Sequence, residues 1–208
     1  MVKDILNANE QMAAENKLLF EKRDIIAINI MASPGAGKTS LILRTIEGLG
    51  EPIAVIEGDI ASTFDAEKVG EKHVPVVQIN TGGACHLDAA MIKTSLEKLS
   101  IDKAKYLFIE NVGNLVCPAQ FALGEKVRVL VASVSEGDDK PFKYPGMFST
   151  VQAVVLNKMD ILPYIDFNVA RFMEGVRAVN REAPVFQVSC RTNEGMGEWI
   201  DWLKKIGS

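Results

Sequence analysis

The sequence is poor in several things that particular protein classes need. Its 208 residues include 3 cysteines, 2 histidines and 2 tryptophans, and aromatic residues make up 7%. The cysteines, Cys85, Cys117 and Cys190, are odd in number. That fits reduced thiols or metal ligands better than a disulfide framework. There is no basic excess either: 23 Lys and Arg stand against 27 Asp and Glu, a formal charge of -4. Electrostatics therefore gives no reason to expect nucleic acid as a partner. No stretch approaches the roughly 20 apolar residues that cross a bilayer. Met1 to Glu10 carries acids in place of a basic leader. No membrane partner is expected, and the cytoplasm is the expected compartment. What the chain does have is 48% hydrophobic residues, enough for one full core.

The apolar residues are ordered in two periods. Ile5, Met12 and Leu19 recur every seven positions, with Leu6, Ala13 and Phe20 beside them. This predicts an amphipathic helix from Asp4 to Phe20 inside an N-terminal unit of residues 1–23. A near-continuous apolar run from Ile25 to Met31 then has the pattern of a strand covered on both faces. Similar runs lie at Ile53 to Ile56, Val74 to Ile79, Tyr106 to Ile109, Val127 to Ala132, Ala153 to Leu156 and Val185 to Val188. Helical patterns at Ser40 to Leu49, His86 to Leu99, Asp166 to Arg181 and Glu194 to Lys205 alternate with them, while Gly137 to Gly146 reads as a long loop. The alternation predicts an α/β fold over residues 24–208, a mostly parallel sheet flanked by helices.

Directly after the first run comes Ala32-Ser33-Pro34-Gly35-Ala36-Gly37-Lys38-Thr39, followed by a helix, the setting of a phosphate-binding loop (P-loop). Small residues let backbone N–H groups converge on phosphate oxygens, and the helix N-terminus adds partial positive charge. Gly35, Ala36, Gly37, Lys38, Thr39 and Ser40 are the expected contacts, with Lys38 on the terminal phosphates and the Thr39 hydroxyl on Mg²⁺. Ala32 stands where the loop pattern has glycine. Further on, Asn157-Lys158-Met159-Asp160 resembles the NKxD motif of GTPases. A carboxylate at Asp160 accepts from both guanine ring donors, which adenine lacks, so GTP is the expected nucleotide and Asn157, Lys158 and Asp160 its base contacts. Ser189-Cys190-Arg191 is similar to a further base-contacting loop, which adds Ser189 and Cys190; the Cys190 thiol is read as structural. Asp59 and Glu110 each follow a predicted strand, where open α/β sheets bind ligands. With Lys38 they are the expected catalytic residues, and with Thr39 the expected Mg²⁺ ligands. Asp59 ranks first, because Glu110-Asn111-Val112-Gly113 resembles the DxxG segment of GTPases with Glu in place of Asp.

Cys85 and His86 stand side by side in Gly82-Gly83-Ala84-Cys85-His86-Leu87-Asp88, and Cys117-Pro118 lies seven residues beyond Glu110. These three offer S, N and S, one ligand short of a closed tetrahedral zinc site; a second chain or water would complete it. The competing reading is two buried thiols and a capping histidine.

Taken with Gly58-Asp59-Ile60-Ala61, Gln78 to Asp88, Glu110 to Pro118 and Glu136-Gly137-Asp138-Asp139-Lys140-Pro141, the chain resembles the HypB family over residues 24–205. That resemblance implies a SIMIBI-type P-loop GTPase which forms a nucleotide- and metal-dependent homodimer. It implies Ni²⁺ or Zn²⁺ on Cys85, His86 and Cys117, Lys140 on the nucleotide across the dimer, and nickel delivery to a nickel-iron hydrogenase large-subunit precursor. A HypA-type zinc metallochaperone is the implied partner. Hydrolysis is expected to be slow, since no positioned glutamine or arginine finger is evident. Some family members store nickel on an N-terminal cysteine cluster or histidine-rich stretch; residues 1–72 contain neither Cys nor His, so that role is not expected of them. The alternatives are a urease-type nickel accessory GTPase, whose Cys-Pro-His motif is broken here by Ala119, a metal-storage scaffold with structural nucleotide, and an ATP-using kinase, which Asn157 to Asp160 disfavours.

Overall fold

A computed structural model describes residues 2–59 and 64–208. The Ile60-Ala61 half of the Gly58-Asp59-Ile60-Ala61 motif lies outside the described residues. Seven strands form one sheet: β1 (Ile26–Ala32), β2 (Ile53–Asp59), β3 (Val76–Asn80), β4 (Tyr106–Glu110), β5 (Val127–Ser133), β6 (Ala153–Asn157) and β7 (Val185–Gln187). Their order is β3-β2-β4-β1-β5-β6-β7, and every neighbouring pair is parallel. The apolar runs are near-continuous because these strands are covered on both sides; β1, β4 and β6 are buried at every position. β3 begins after Pro75, which cannot donate to a ladder.

The helices are α1 (Val2–Lys22), α2 (Lys38–Leu49), α3 (Phe64–Gly70), α4 (Ala89–Leu96), α5 (Lys140–Lys143), α6 (Pro145–Ser149), α7 (Val169–Val179) and α8 (Met196–Ile206). One face of the sheet packs on α2 and α8, where the Trp199 indole is fully buried and donates to the Thr45 hydroxyl at 2.8 Å. The other face carries two clusters. Phe20 and Ile92, from α1 and α4, cover Ala27 and Leu107, whereas Phe148 and Phe172, from α6 and α7, cover Leu130 and Val154.

Several boundaries differ from the sequence pattern, and each has a local cause. The helix expected from His86 starts at Ala89, because the Asp88 carboxylate accepts from Met91 N–H at 2.8 Å and caps it there. Cys85 and His86 consequently lie in the loop ahead of α4. Asn168 caps α7 in the same manner, through Arg171 N–H at 3.0 Å. The stretch expected as a long loop, Gly137 to Gly146, instead holds α5 and the start of α6; a proline occupies the first turn of each, where no N–H is missed.

Candidate functional site

The loop between β1 and α2 turns through two glycines with positive φ, Gly35 at 76° and Gly37 at 104°. A Cβ at Gly37 would collide with the Asn157 side chain, so glycine is needed there on both counts. Ala32 is the last, fully buried residue of β1 rather than part of the turn, so its methyl group packs in the core without straining the loop.

Asn157 holds two loops together. Its amide donates to Ala36 C=O at 3.0 Å, and its carbonyl accepts from Lys158 N–H at 2.7 Å and Cys190 N–H at 3.2 Å. Lys158 has a left-handed φ of 64° and reaches Gly35 C=O with its ammonium at 2.7 Å. Asp160 accepts from the Ser189 hydroxyl at 2.7 Å. Around them is a cavity of about 320 Å³, lined by Gly37, Ser40, Asn157, Lys158, Asp160 and Cys190 among others. The Cys190 thiol is buried and its pKa pushed up to about 11 by desolvation, which leaves it neutral and unreactive near pH 7.

A second cavity of about 250 Å³ lies on the other side of the P-loop, lined by Gly35, Lys38, Asp59 and Glu110 and also by Glu57 and Asp65. The Glu110 carboxylate accepts from the Thr39 hydroxyl at 3.0 Å and sits 3.7 Å from the Lys38 ammonium. Glu57 was not anticipated from the sequence. It pairs with Glu110 across β2 and β4, so the two side chains emerge together. Burial first, and the adjacent Glu110 second, push the Glu57 carboxyl up to about 10. Burial also raises Glu110, against the pull of Lys38. One oxygen of each, Glu57 Oε1 and Glu110 Oε2, is buried without a partner. Two orphaned carboxylate oxygens beside a threonine hydroxyl are the hard donor set that suits Mg²⁺.

Cys85, His86 and Cys117 are brought together although 32 positions separate the two cysteines. Their ligand atoms all lie within 4.8 Å of one another, with Sγ to Sγ at 3.0 Å and Cys85 Sγ to His86 Nδ1 at 3.6 Å. Gly82 and Gly83, both left-handed, turn the chain after β3, and Asn114 collects the N–H groups of Val116 and Cys117 after β4. Desolvation lowers the His86 pKa, against the pull of Asp88, and the ring packs on Phe121 with its centre 3.9 Å away and tilted by 30°. A neutral imidazole with two thiols fits a soft or borderline cation. The hydrogen bond with Cys85 raises the Cys117 thiol, so a metal ion would have to displace that proton. Lys140 lies apart, lining neither cavity, with its ammonium 5.4 Å from the Tyr144 ring centre. Among the described residues no helix is long and apolar enough to cross a membrane.

Residues 26–187 match the family described as CobW/HypB/UreG, nucleotide-binding domain. The chain is 50% identical over 204 residues to hydrogenase maturation factor HypB of Azotobacter vinelandii, covering 97% of this chain and 67% of that protein. The crystal structure of HypB from Helicobacter pylori in complex with nickel superposes with a TM-score of 0.93 at 36% identity, covering 96% of this chain and 95% of that one. The signal recognition particle receptor FtsY of Elizabethkingia anophelis shares the fold alone, with a TM-score of 0.53 and 17% identity, covering 78% of this chain and 57% of that one.

Proposed function

This chain belongs to the HypB family of hydrogenase maturation factors, with the SIMIBI type of P-loop fold, and on that premise we propose that it is a slow GTPase coupling nucleotide state to nickel delivery. The phosphates of GTP lie on the Gly35 to Ser40 loop and the Lys38 ammonium, and guanine lies against Asn157, Lys158, Asp160, Ser189 and Cys190. Thr39, Asp59 and Glu110 would hold Mg²⁺, which supplies charge neutralisation on the phosphate oxygens. Nickel is the cargo on Cys85, His86 and Cys117, with zinc a competing occupant. The chain works as a homodimer, with Lys140 of each copy on the other's nucleotide. A HypA-type zinc metallochaperone and the hydrogenase large-subunit precursor are its partners, in the cytoplasm. Residues 24–208 act as the GTPase unit and residues 1–23 as an added helix.

One observation carries this reading: a single segment leaving β4 bears Glu110, which bonds the P-loop threonine, and Cys117, which touches Cys85. Gly113, between them, fits against Pro34, with room for no more than about 3.0 Å to an added Cβ. Movement of this segment with nucleotide therefore alters thiol placement.

The test is equilibrium binding of Ni²⁺ and Zn²⁺ to the wild type and Cys85→Ala, loaded with GDP or a non-hydrolysable GTP analogue, with molecular mass recorded alongside. Metal affinity and dimer population that change with nucleotide, and depend on Cys85, are the expected result. Metal binding indifferent to both nucleotide and Cys85 would leave a plain GTPase.

A further inference from the structure

Between the phosphate-side cavity and the three metal ligands lies a chain of buried amides. Asn111 follows Glu110 directly and is fully buried. Its own N–H donates to Ile30 C=O at 3.0 Å, tying it to β1 two residues ahead of Ala32. Its side-chain carbonyl accepts from two backbone groups, Leu87 N–H and Val112 N–H, each at 3.0 Å. Leu87 is the residue after His86. The Asn111 amide donates to Asn29 Oδ1 at 3.2 Å, and Asn29 in turn donates to Glu125 Oε1 at 3.2 Å. Arg128 binds the same Glu125 oxygen at 2.6 Å and reaches Ala119 C=O, two residues beyond Cys117, at 3.1 Å.

We propose that Asn111 is the positioning residue through which nucleotide state reaches the metal ligands, with one arm to His86 through Leu87 and a second to Cys117 through Asn29, Glu125 and Arg128. This rests on the nucleotide and metal occupancies argued above. When Glu110 shifts with its occupancy, Asn111 must move with it or break its buried hydrogen bonds. A buried network of linked side-chain hydrogen bonds resists partial rearrangement and so passes between discrete states. Cys85 and Cys117 themselves need not touch the nucleotide.

The readout is a ratio rather than an affinity. Ni²⁺ dissociation constants are measured for the full chain loaded with GDP and with a non-hydrolysable GTP analogue, in wild type, Asn111→Ser, Asn29→Ser and Asn180→Ser. Asn180 is the control: a side-chain amide donating to Phe148 and Val151 C=O at the far side of the sheet, where its loss destabilises without touching the network. A coupling of about fivefold or more is expected in wild type and Asn180→Ser, since allosteric couplings typically run from about 5- to 150-fold. In Asn111→Ser the ratio falls below about twofold, and by linkage the effect of Ni²⁺ on the preference for the analogue over GDP shrinks by the same factor. Asn29→Ser keeps the Leu87 arm and loses the other, so its ratio falls to an intermediate value; it also serves if Asn111→Ser does not fold. A wild-type ratio retained in Asn29→Ser and in any folded Asn111→Ser overturns the assignment. A ratio of one in the wild type would instead overturn the nucleotide–metal coupling itself, and this inference with it.

Discussion

Glu57 sits two residues before Asp59 in a strand and has an ordinary carboxylate only in the unfolded chain. Folded, its proton is retained up to about pH 10, so between pH 4.5 and 10 the native state binds one proton more than the unfolded state. Stability of the cation-free protein therefore falls as pH rises through that window, by at most about 1.4 kcal/mol per pH unit. Glu57→Gln removes this residue's share of the titration and leaves the burial that raises Glu110. In urea unfolding with chelator and no nucleotide, the variant's advantage over wild type should grow from pH 5.5 to 8.5; a constant difference would contradict the buried pair. At the other cavity, Asp160→Asn exchanges an acceptor for a donor. GTP binding should weaken by roughly 100-fold or more, while xanthosine triphosphate, whose ring presents a carbonyl where guanine has an amino group, is accepted; nucleotide competition measures this. The P-loop and the Asn157 to Asp160 motif were legible because their chemistry is carried by consecutive residues. Glu57 was not, since its significance comes from the cross-strand register with Glu110, which no local window contains.

At the scale of elements, α1 is more than a cover. Asn9 accepts from Ala89 N–H at 2.9 Å and donates to Ala122 C=O at 2.8 Å, and Asn16 donates to Ala89 C=O at 2.9 Å and Leu123 C=O at 3.0 Å. Gly124, at φ 96°, lets the helix approach; a Cβ there would lie 2.6 Å from Asn16 Cβ. α1 thus clips the start of α4 to the segment after Cys117. Asn16→Ala removes two buried hydrogen bonds, to Ala89 and Leu123 C=O, and should cost about 1–3 kcal/mol in chemical denaturation, compared with a change within about 0.5 kcal/mol for an exposed position such as Lys22→Ala. The seven-residue apolar spacing made this helix visible in the sequence, but not its asparagines, which look like ordinary helix-surface residues until their partners are known. Strands were visible for the opposite reason, their burial on two faces being written in consecutive residues. Helix starts at Ala89 and Val169 were hidden because capping by Asp88 and Asn168 decides them, and α5 because its proline reads as a loop signal.

For the whole molecule, Lys140 supplies the test of assembly. It lines neither cavity of its own chain, so in a nucleotide-bridged dimer Lys140→Ala should weaken binding of the GTP analogue about tenfold above the dimerisation concentration and leave it unchanged in dilute protein. Equal loss at both concentrations would point to a contact within one chain. The strand order has a consequence of its own. Adjacent strands are spaced by about 4.8 Å, so the sheet acts as a ruler. Cys117 leaves β4, next to β1, whereas Asp160 and Ser189 follow β6 and β7 on the opposite side, two and three places from β1. From β4 to β6 is three steps, about 14 Å, and to β7 about 19 Å. The metal ligands after β4 therefore lie one strand from the P-loop, which follows β1, and three or four strands from Asp160 and Ser189. Exchange of one guanine nucleotide for another differing only in phosphate number should register at the thiols, and exchange of the base should not.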